Sequence, residues 1–145
     1  MDSRIRTAVA GVEAYVVGGA VRDELLGRQI VDVDVAIPDP EVAARIYAGL
    51  SKGAVFPLSE KRGAWRVAFK DGTTVDFTPL DGPIEDDLRT RDFTINAIAQ
   101  DDDGRLIDPF GGASDIQAHV LRHVGPAFAE DPLRVLRAAL FDFRR

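Results

Sequence analysis

The chain has 145 residues, which suits one domain with its own core. Its composition is 46% hydrophobic and 29% charged, which excludes a disordered chain, and the absence of cysteine excludes disulfides, thiolate metal sites and a cysteine nucleophile. The net charge of −6 argues against a large nucleic-acid footprint within these residues, because phosphate binding needs clustered Lys and Arg.

The sequence predicts a cytoplasmic protein. The first apolar stretch is interrupted by Glu13 and by glycines, unlike a secretion signal, and no apolar run approaches the ~20 residues that span a membrane. The last segment, "EDPLRVLRAALFDFRR", predicts a helix still running at Arg145 without a stop signal. This favours a fragment of a longer protein.

The predicted elements mix helices with hairpin strands. In chain order they are a buried strand at 14–17, a helix at 20–26 ended by Gly27, an alternating strand at 31–37, a helix from Pro40, strands at 54–58 and 64–70, a turn at 71–72, a strand at 73–79, a helix at 92–100, a short strand within 105–112, and helices at 114–120 and 131–143. Because regular βαβ alternation is missing, the pattern favours the α+β class.

Asp32 and Asp34 lie one residue apart in an otherwise apolar strand. Side chains at i and i+2 share a face, so both carboxylates point one way while Val33, Val35 and Ile37 point the other way. Two like charges on one face indicate a cation between them, and Mg²⁺ prefers oxygen ligands and leaves room for phosphates. The alternative is a solvated strand face that happens to carry Asp.

A second strand strengthens the metal interpretation. Thr74, Asp76 and Thr78 share one face of "TTVDFTP", which follows a hairpin and could lie beside the first strand. Three carboxylates from two neighbouring strands would make a better metal site than two. For Asp76 alone, a solvent-facing carboxylate is an equal alternative.

Gly18 and Gly19 lie between the first strand and the first predicted helix. They do not form G-x-G-x-x-G, but they allow a ligand to approach the backbone, and the following helix N-terminus favours anions. Arg22 on that helix could contact a phosphate. The alternative is an ordinary strand-to-helix turn.

The last predicted helix carries Asp131 at its N-cap, and Arg134 and Arg137 on one side face. Capping and solvation explain these residues, but their acceptors and donors could also read a base edge. His119 and His123 are four residues apart, which suits a metal pair on a helix. Since no third ligand lies nearby, a structural role is favoured.

Five motifs occur in order: "GGAVRD", G-x-x-x-x-D-x-D from Gly27 to Asp34, "RDFTINAIA", "LIDPFGG" and "EDPLRVLRA". Over nearly all of residues 14–143 the chain thus resembles the head and neck of class II CCA-adding enzymes and bacterial poly(A) polymerases, of the DNA polymerase beta-like nucleotidyltransferase superfamily. The resemblance implies a small, mixed, mainly antiparallel sheet flanked by helices. It divides the chain into a head at 1–112 and the start of a helical neck at 113–145.

The resemblance also implies Mg²⁺-dependent transfer of CMP or AMP from CTP or ATP to the 3′ end of tRNA. By this likeness Asp32 and Asp34 hold the metal, Asp76 is a third catalytic carboxylate, Gly19 and Arg22 contact the triphosphate, Arg91 contacts the nucleotide, and Asp131, Arg134 and Arg137 read the base. RNA would be held mostly by regions absent from this chain, and no membrane would be involved. The segment "TPLDGPIEDDL" is shorter than the loop that many family members carry there, which argues against full CCA synthesis, so CC addition and A addition stay open beside it. The alternatives are a poly(A) polymerase acting on other RNA and a non-catalytic nucleotide-binding module.

Overall fold

The computed structural model describes residues 1–125 and 141–143. In this part of the chain the α-helices are Ser3–Ala8 (α1), Gly19–Leu25 (α2), Pro40–Ser51 (α3), Ile84–Arg89 (α4) and Gly112–Ala118 (α5). The strands are Tyr15–Val17 (β1), Asp32–Ile37 (β2), Ala54–Ser59 (β3), Ala64–Ala68 (β4), Thr74–Pro79 (β5), Ala99–Gln100 (β6) and Leu106–Ile107 (β7).

The strands form one seven-stranded sheet in the order β3-β4-β5-β2-β1-β6-β7. The central pair, β2 and β5, is parallel, and the other neighbouring pairs are antiparallel. The predicted class, a mixed and mainly antiparallel sheet flanked by helices, is therefore confirmed. Among the described residues, no helix combines the length and apolar character that a membrane crossing requires.

Apolar side chains cover the two faces of the central strands unequally. On one face Val35 and Phe77 are fully buried in the main core, together with Tyr47 of α3. On the other face Ala36 packs in a smaller cluster with Leu88 of α4. This second face also carries the aspartates of β2, and α4 covers only its carboxyl end.

Local sequence signals account for several element boundaries. The Asp39 carboxylate caps α3 by accepting a hydrogen bond from the main-chain N–H of Val42, and Pro40 occupies the first turn. Gly72, with a φ of +89°, closes the β4–β5 hairpin, because a side chain rarely adopts that conformation. Both boundaries agree with the predicted ones.

The helix predicted over residues 92–100 is wrong. Thr94–Asn96 forms only a 3-10 turn, and Ala99–Gln100 is β6, which pairs with the free edge of β1. The Asp92 carboxylate accepts hydrogen bonds from the Phe93 main chain and the Asn96 side chain, which fixes a turn instead of a helix. Tertiary pairing of β1 thus overrides the local pattern.

The helix predicted over 131–143 falls mostly outside the described residues, and its last part is wrong, since 141–143 is not helical. There Arg28 donates to the main-chain carbonyl of Asp142, and the Phe143 ring stacks on His119. Two short helices were not predicted: α1, and α4, most of which lies in the short segment "TPLDGPIEDDL".

Candidate active site

Asp32 and Asp34 share a face of β2, as the alternation predicts. The Thr74 hydroxyl donates to Oδ1 of Asp32 at 2.7 Å, and the Thr78 hydroxyl donates to Oδ1 of Asp34 at 3.0 Å. Both threonines belong to β5, so the parallel neighbour orients both carboxylates. Asp32 is exposed, whereas the Asp34 side chain retains 35% of its accessible surface.

The environment of Asp34 opposes its negative charge. Burial raises the pKa of the Asp34 carboxyl above its usual range, and the carboxylates of Asp76 and Asp87 act in the same direction. The Arg91 guanidinium and the Thr78 hydrogen bond oppose this rise without cancelling it. A cation bound here would therefore relieve a charge that the protein alone compensates incompletely.

Asp76 lies directly opposite Asp34 in the parallel register of β2 and β5. Its carboxylate is held by Arg66 of β4, whose Nε lies 2.7 Å from Oδ1 and whose Nη2 lies 2.9 Å from Oδ2. The hydrogen bonds to Asp76 raise the pKa of the Arg66 guanidinium. All three predicted carboxylates thus meet on one face, and the third is tied to an arginine that the sequence interpretation missed.

The Gly18–Gly19 turn connects β1 to α2 beside this face. Gly18 has a φ of +71° and a ψ of −130°, and its N–H donates to the Ile98 carbonyl at 3.1 Å. A Cβ at Gly18 would lie 3.3 Å from Nη1 of Arg91, and one at Gly19 would lie 3.4 Å from Nη2 of Arg22. Two guanidinium groups therefore flank the turn.

Arg22 is held by a side-chain network. Its Nη1 donates to Oδ1 of Asn96 at 2.7 Å, its Nε donates to Oδ1 of Asp23 at 2.9 Å, and its guanidinium carbon lies 5.0 Å from the centre of the Phe141 ring. Asn96 in turn donates to the buried Asp92. This network fixes the orientation of Arg22, the predicted triphosphate contact. In the sequence, the only sign of the network is the "RDFTIN" motif, which contains Asp92 and Asn96.

Arg91 follows the end of α4 and points toward the aspartates. Its Nη2 lies 2.9 Å from Oδ2 of Asp87, and its Nη1 lies 4.0 Å from Oδ2 of Asp34. Arg91 therefore connects the glycine turn to the carboxylate face.

An open cleft of about 660 Å³ begins at Asp34. It runs between the end of α4, with Asp87, Thr90 and Arg91, and the β3–β4 hairpin, with Leu58, Ser59 and Arg62. Its volume lies in the range of small-molecule sites, which occupy roughly 300–1,000 Å³.

The remaining predicted residues have different outcomes. Asp131, Arg134 and Arg137 lie outside the described residues. His119 and His123 do not share a helix, because α5 ends at Ala118 and His119 has a φ of +55°. The helical metal pair, which was the disfavoured alternative, is therefore excluded.

Among the described residues, Asp101, Asp102 and Asp103, in the loop between β6 and β7, have carboxylates close enough together to be considered as a metal site. Oδ1 of Asp101 accepts hydrogen bonds from the main-chain N–H groups of Asp103 and Arg105, so this cluster stabilises a turn. It lies apart from the β2 carboxylates in the fold and is not the predicted metal site.

The arrangement as a whole can bind a polyphosphate over a cation. Carboxylates on β2 offer oxygen ligands for a divalent ion, and the glycine turn with Arg22 and Arg91 offers N–H donors and positive charge to phosphates. Positioning and charge neutralisation of this kind are what phosphoryl transfer requires of a protein.

The family model described as "Poly A polymerase head domain" matches residues 14–81 and 61–122. A protein of Deinococcus radiodurans named "A-adding tRNA nucleotidyltransferase" is 52% identical over 129 residues, covering 88% of this chain and 30% of its own length. A "Multifunctional CCA protein" of Pseudomonas paraeruginosa is 47% identical over 147 residues, covering 92% of this chain and 35% of its own length. The chain thus spans about a third of the length of the curated relatives it matches.

Solved structures agree with these matches. A crystal structure described as a tRNA nucleotidyltransferase complexed with a primer tRNA and an incoming ATP analog superposes with a TM-score of 0.81 and is 35% identical in sequence. The superposition covers 93% of this chain and 43% of that one.

Proposed function

Because the chain belongs to the family of poly A polymerase head domains, we propose that it is the catalytic head of an RNA nucleotidyltransferase that adds CMP or AMP from CTP or ATP to the 3′ end of tRNA. We place the head at residues 1–112 and the start of the neck at residues 113–145. The proposed location is the cytoplasm, with which a chain free of cysteine is compatible.

The convergence of Asp32, Asp34 and Asp76 beside the Gly18–Gly19 turn carries the proposal. If the aspartates only belonged to a solvated strand face, a glycine turn and two arginines would not be expected beside them. The names of the relatives supply the substrate class, which the geometry alone leaves broader.

The residues of the chain have separate tasks in this reaction. Gly19 and Arg22 bind the triphosphate, and Arg91 holds the nucleotide between the glycine turn and Asp34. Asp34 and Asp32, oriented by two threonine hydroxyls, would hold Mg²⁺, which would supply charge neutralisation at the reacting phosphate. The carboxylate chemistry fits this ion, because Mg²⁺ prefers hard oxygen ligands and retains positions for phosphate oxygens.

The proposed reaction passes through no covalent intermediate between protein and substrate. The Asn96 and Asp23 hydrogen bonds fix Arg22 before substrate arrives, so no reorganisation is needed at the moment of transfer. The attacking group is the 3′ hydroxyl of the RNA, and the leaving group is pyrophosphate. Asp131, Arg134 and Arg137 are proposed to select the base.

The proposal is tested with the protein in its natural length, labelled CTP and ATP, and tRNA transcripts that lack CCA, CA or A. We expect Mg²⁺-dependent extension of at least one transcript, lost in Asp32→Asn and in Asp34→Asn and retained in Asp103→Asn, which alters only the exposed turn between β6 and β7. No incorporation on any transcript would contradict the proposal, and so would long adenosine tails on unrelated RNA.

A further inference from the structure

The sheet face over β3, β4 and β5 is open beside the three carboxylates. Phe56 lies opposite Arg66, and Arg66 lies opposite Asp76, so these side chains emerge on the same side of the sheet. Phe56 and Leu58 are each 41% exposed, although both are large and apolar. Helix α4 packs instead against Ala36, near the carboxyl end of β2.

Arg62 adds an uncompensated positive charge to this face. Its guanidinium makes no ion pair or hydrogen bond within residues 1–125 and 141–143, and it lines the cleft that begins at Asp34. The other arginines around the site are engaged: Arg22 with Asp23, Arg66 with Asp76, and Arg91 with Asp87. In a chain of net charge −6, one unengaged arginine beside exposed apolar side chains matches an anionic, stacking ligand.

The in-line geometry of the proposed reaction indicates which ligand binds at this face. In phosphoryl transfer the attacking and leaving oxygens lie roughly in line on opposite sides of the phosphorus atom. In the proposed function the triphosphate binds at the Gly18–Gly19 turn, which lies between β1 and α2 and is flanked by Arg91 and Arg22. The attacking hydroxyl must therefore approach from the opposite side, which the strand order makes the β5, β4 and β3 side.

We propose that Phe56, Leu58, Arg62 and Arg66 form an acceptor face that binds the single-stranded 3′ end of the RNA substrate. Phe56 offers an aromatic surface on which a base can stack, and Arg62 contacts the backbone phosphate beside it. Arg66 keeps the Asp76 carboxylate in position next to the incoming hydroxyl. This inference rests on the proposed function and assigns the second substrate of that reaction to a surface.

Steady-state kinetics of the protein in its natural length test the acceptor face. We expect Phe56→Ala to raise KM for the RNA about tenfold, since stacking of a base on an aromatic ring is lost, and to leave KM for CTP or ATP unchanged. Phe56→Trp should restore the RNA KM. Arg62→Ala should raise the RNA KM and reduce its dependence on salt, because one phosphate contact is removed.

Matched controls lie at the far edge of the same sheet. Leu106 of β7 is 42% exposed, and Arg105 beside it is highly exposed, so Leu106→Ala and Arg105→Ala remove similar groups away from the acceptor face. Both should leave the RNA KM unchanged. Equal effects of the control and test variants, or a change in nucleotide KM alone, would overturn the inference.

Photo-crosslinking provides a measurement that does not need activity. A tRNA transcript with 4-thiouridine as its 3′-terminal nucleotide should crosslink to the peptide that contains residues 54–66. Crosslinks elsewhere in the chain, or none, would overturn the acceptor face. If no nucleotide is incorporated but this crosslink forms, the proposed function fails and the RNA-binding face stands.

Discussion

Arg66 and Asp76 face each other across the β4–β5 hairpin and are joined by two hydrogen bonds, of 2.7 Å and 2.9 Å. The pair is only partly exposed, with 33% of the Arg66 side chain and 19% of the Asp76 side chain accessible. Without Arg66, Asp76 would add an uncompensated charge beside Asp34. The pair thus holds together a cluster of like charges that would otherwise repel.

A double-mutant cycle measures this pairing. We expect Arg66→Met and Asp76→Asn to show a coupling free energy of about 1–3 kcal/mol in urea unfolding, because the hydrogen bonds involve charged groups in a half-buried site. The exposed pair Arg89–Asp86, 3.2 Å apart on α4, is the control and should couple by about 0.2–1 kcal/mol. Equal coupling in the two pairs would show that Arg66 is only a surface residue.

Gly18→Ala tests the glycine turn. Both backbone strain at a φ of +71° and the approach of the new Cβ to Arg91 oppose alanine, so we expect a loss of about 1–3 kcal/mol in stability and weaker CTP or ATP binding. Gly82→Ala is the matched control, since Gly82 has a φ of +85° but no heavy atom within 4 Å of its Cβ position. It should lose stability and retain nucleotide affinity, as judged by calorimetry. Equal nucleotide affinity in the two variants would argue against a role for the turn in binding.

Asp115 gives the fold a dependence on pH. The buried carboxylate accepts hydrogen bonds from Thr94 at 2.6 Å and from Arg122 at 3.2 Å, and the Thr94 bond is the main cause of its lowered pKa. Since the folded pKa lies below the unfolded value of about 3.9, the stabilisation is complete well above pH 3.9 and is lost as the pH falls through the folded pKa.

Unfolding of Asp115→Asn between pH 3 and pH 6 checks this expectation. The variant should be less stable than the wild type at pH 6. The difference in the free energy of unfolding should shrink toward pH 3, because protons then bind the Asp115 carboxyl more readily in the unfolded state than in the folded state. The exposed Asp102→Asn should follow the wild-type curve. A constant difference across the range would exclude the Asp115 linkage.

The base-reading role of Asp131 and Arg134 remains a prediction from the sequence. Arg134→Ala should leave Mg²⁺ binding intact and reduce discrimination between CTP and ATP by roughly one to two powers of ten, the equivalent of ~1.5–3 kcal/mol for a hydrogen bond to a charged group. Asp131→Asn should keep the melting temperature, because Asn caps a helix as well as Asp does, while the ratio of CTP to ATP incorporation shifts. An unchanged ratio in both variants would contradict the role.

Much of the carboxylate face could be predicted because it depends on local alternation. Strict period-two patterns in 31–37 and 73–79 fixed which side chains of β2 and β5 share a face, and the threonine hydrogen bonds confirm it. The position of Arg66 opposite Asp76 could also have been predicted from the sequence. A hairpin loop that pairs Phe69 with Thr73 necessarily brings Arg66 opposite Asp76.

Other features depend on partners far away in the chain. The hydrogen bond from Arg22 to Asn96 joins residues separated by 74 positions, and no spacing rule predicts it. The spacing of apolar residues in 92–100 is compatible with a helix. Ala99 and Gln100 instead pair with the edge of β1, and this pairing determines their conformation. Tertiary context overrides local propensity in both cases.

The parallel pairing of β2 with β5 has a consequence for how the chain folds. The connection between the strands that carry Asp34 and Asp76 is long, because it contains α3 and the β3–β4 hairpin. Parallel pairing across a long connection is slow, because loop closure costs entropy before any contact forms. During refolding, the site should therefore be completed later than the local β4–β5 hairpin, so nucleotide binding should recover after most secondary structure has returned.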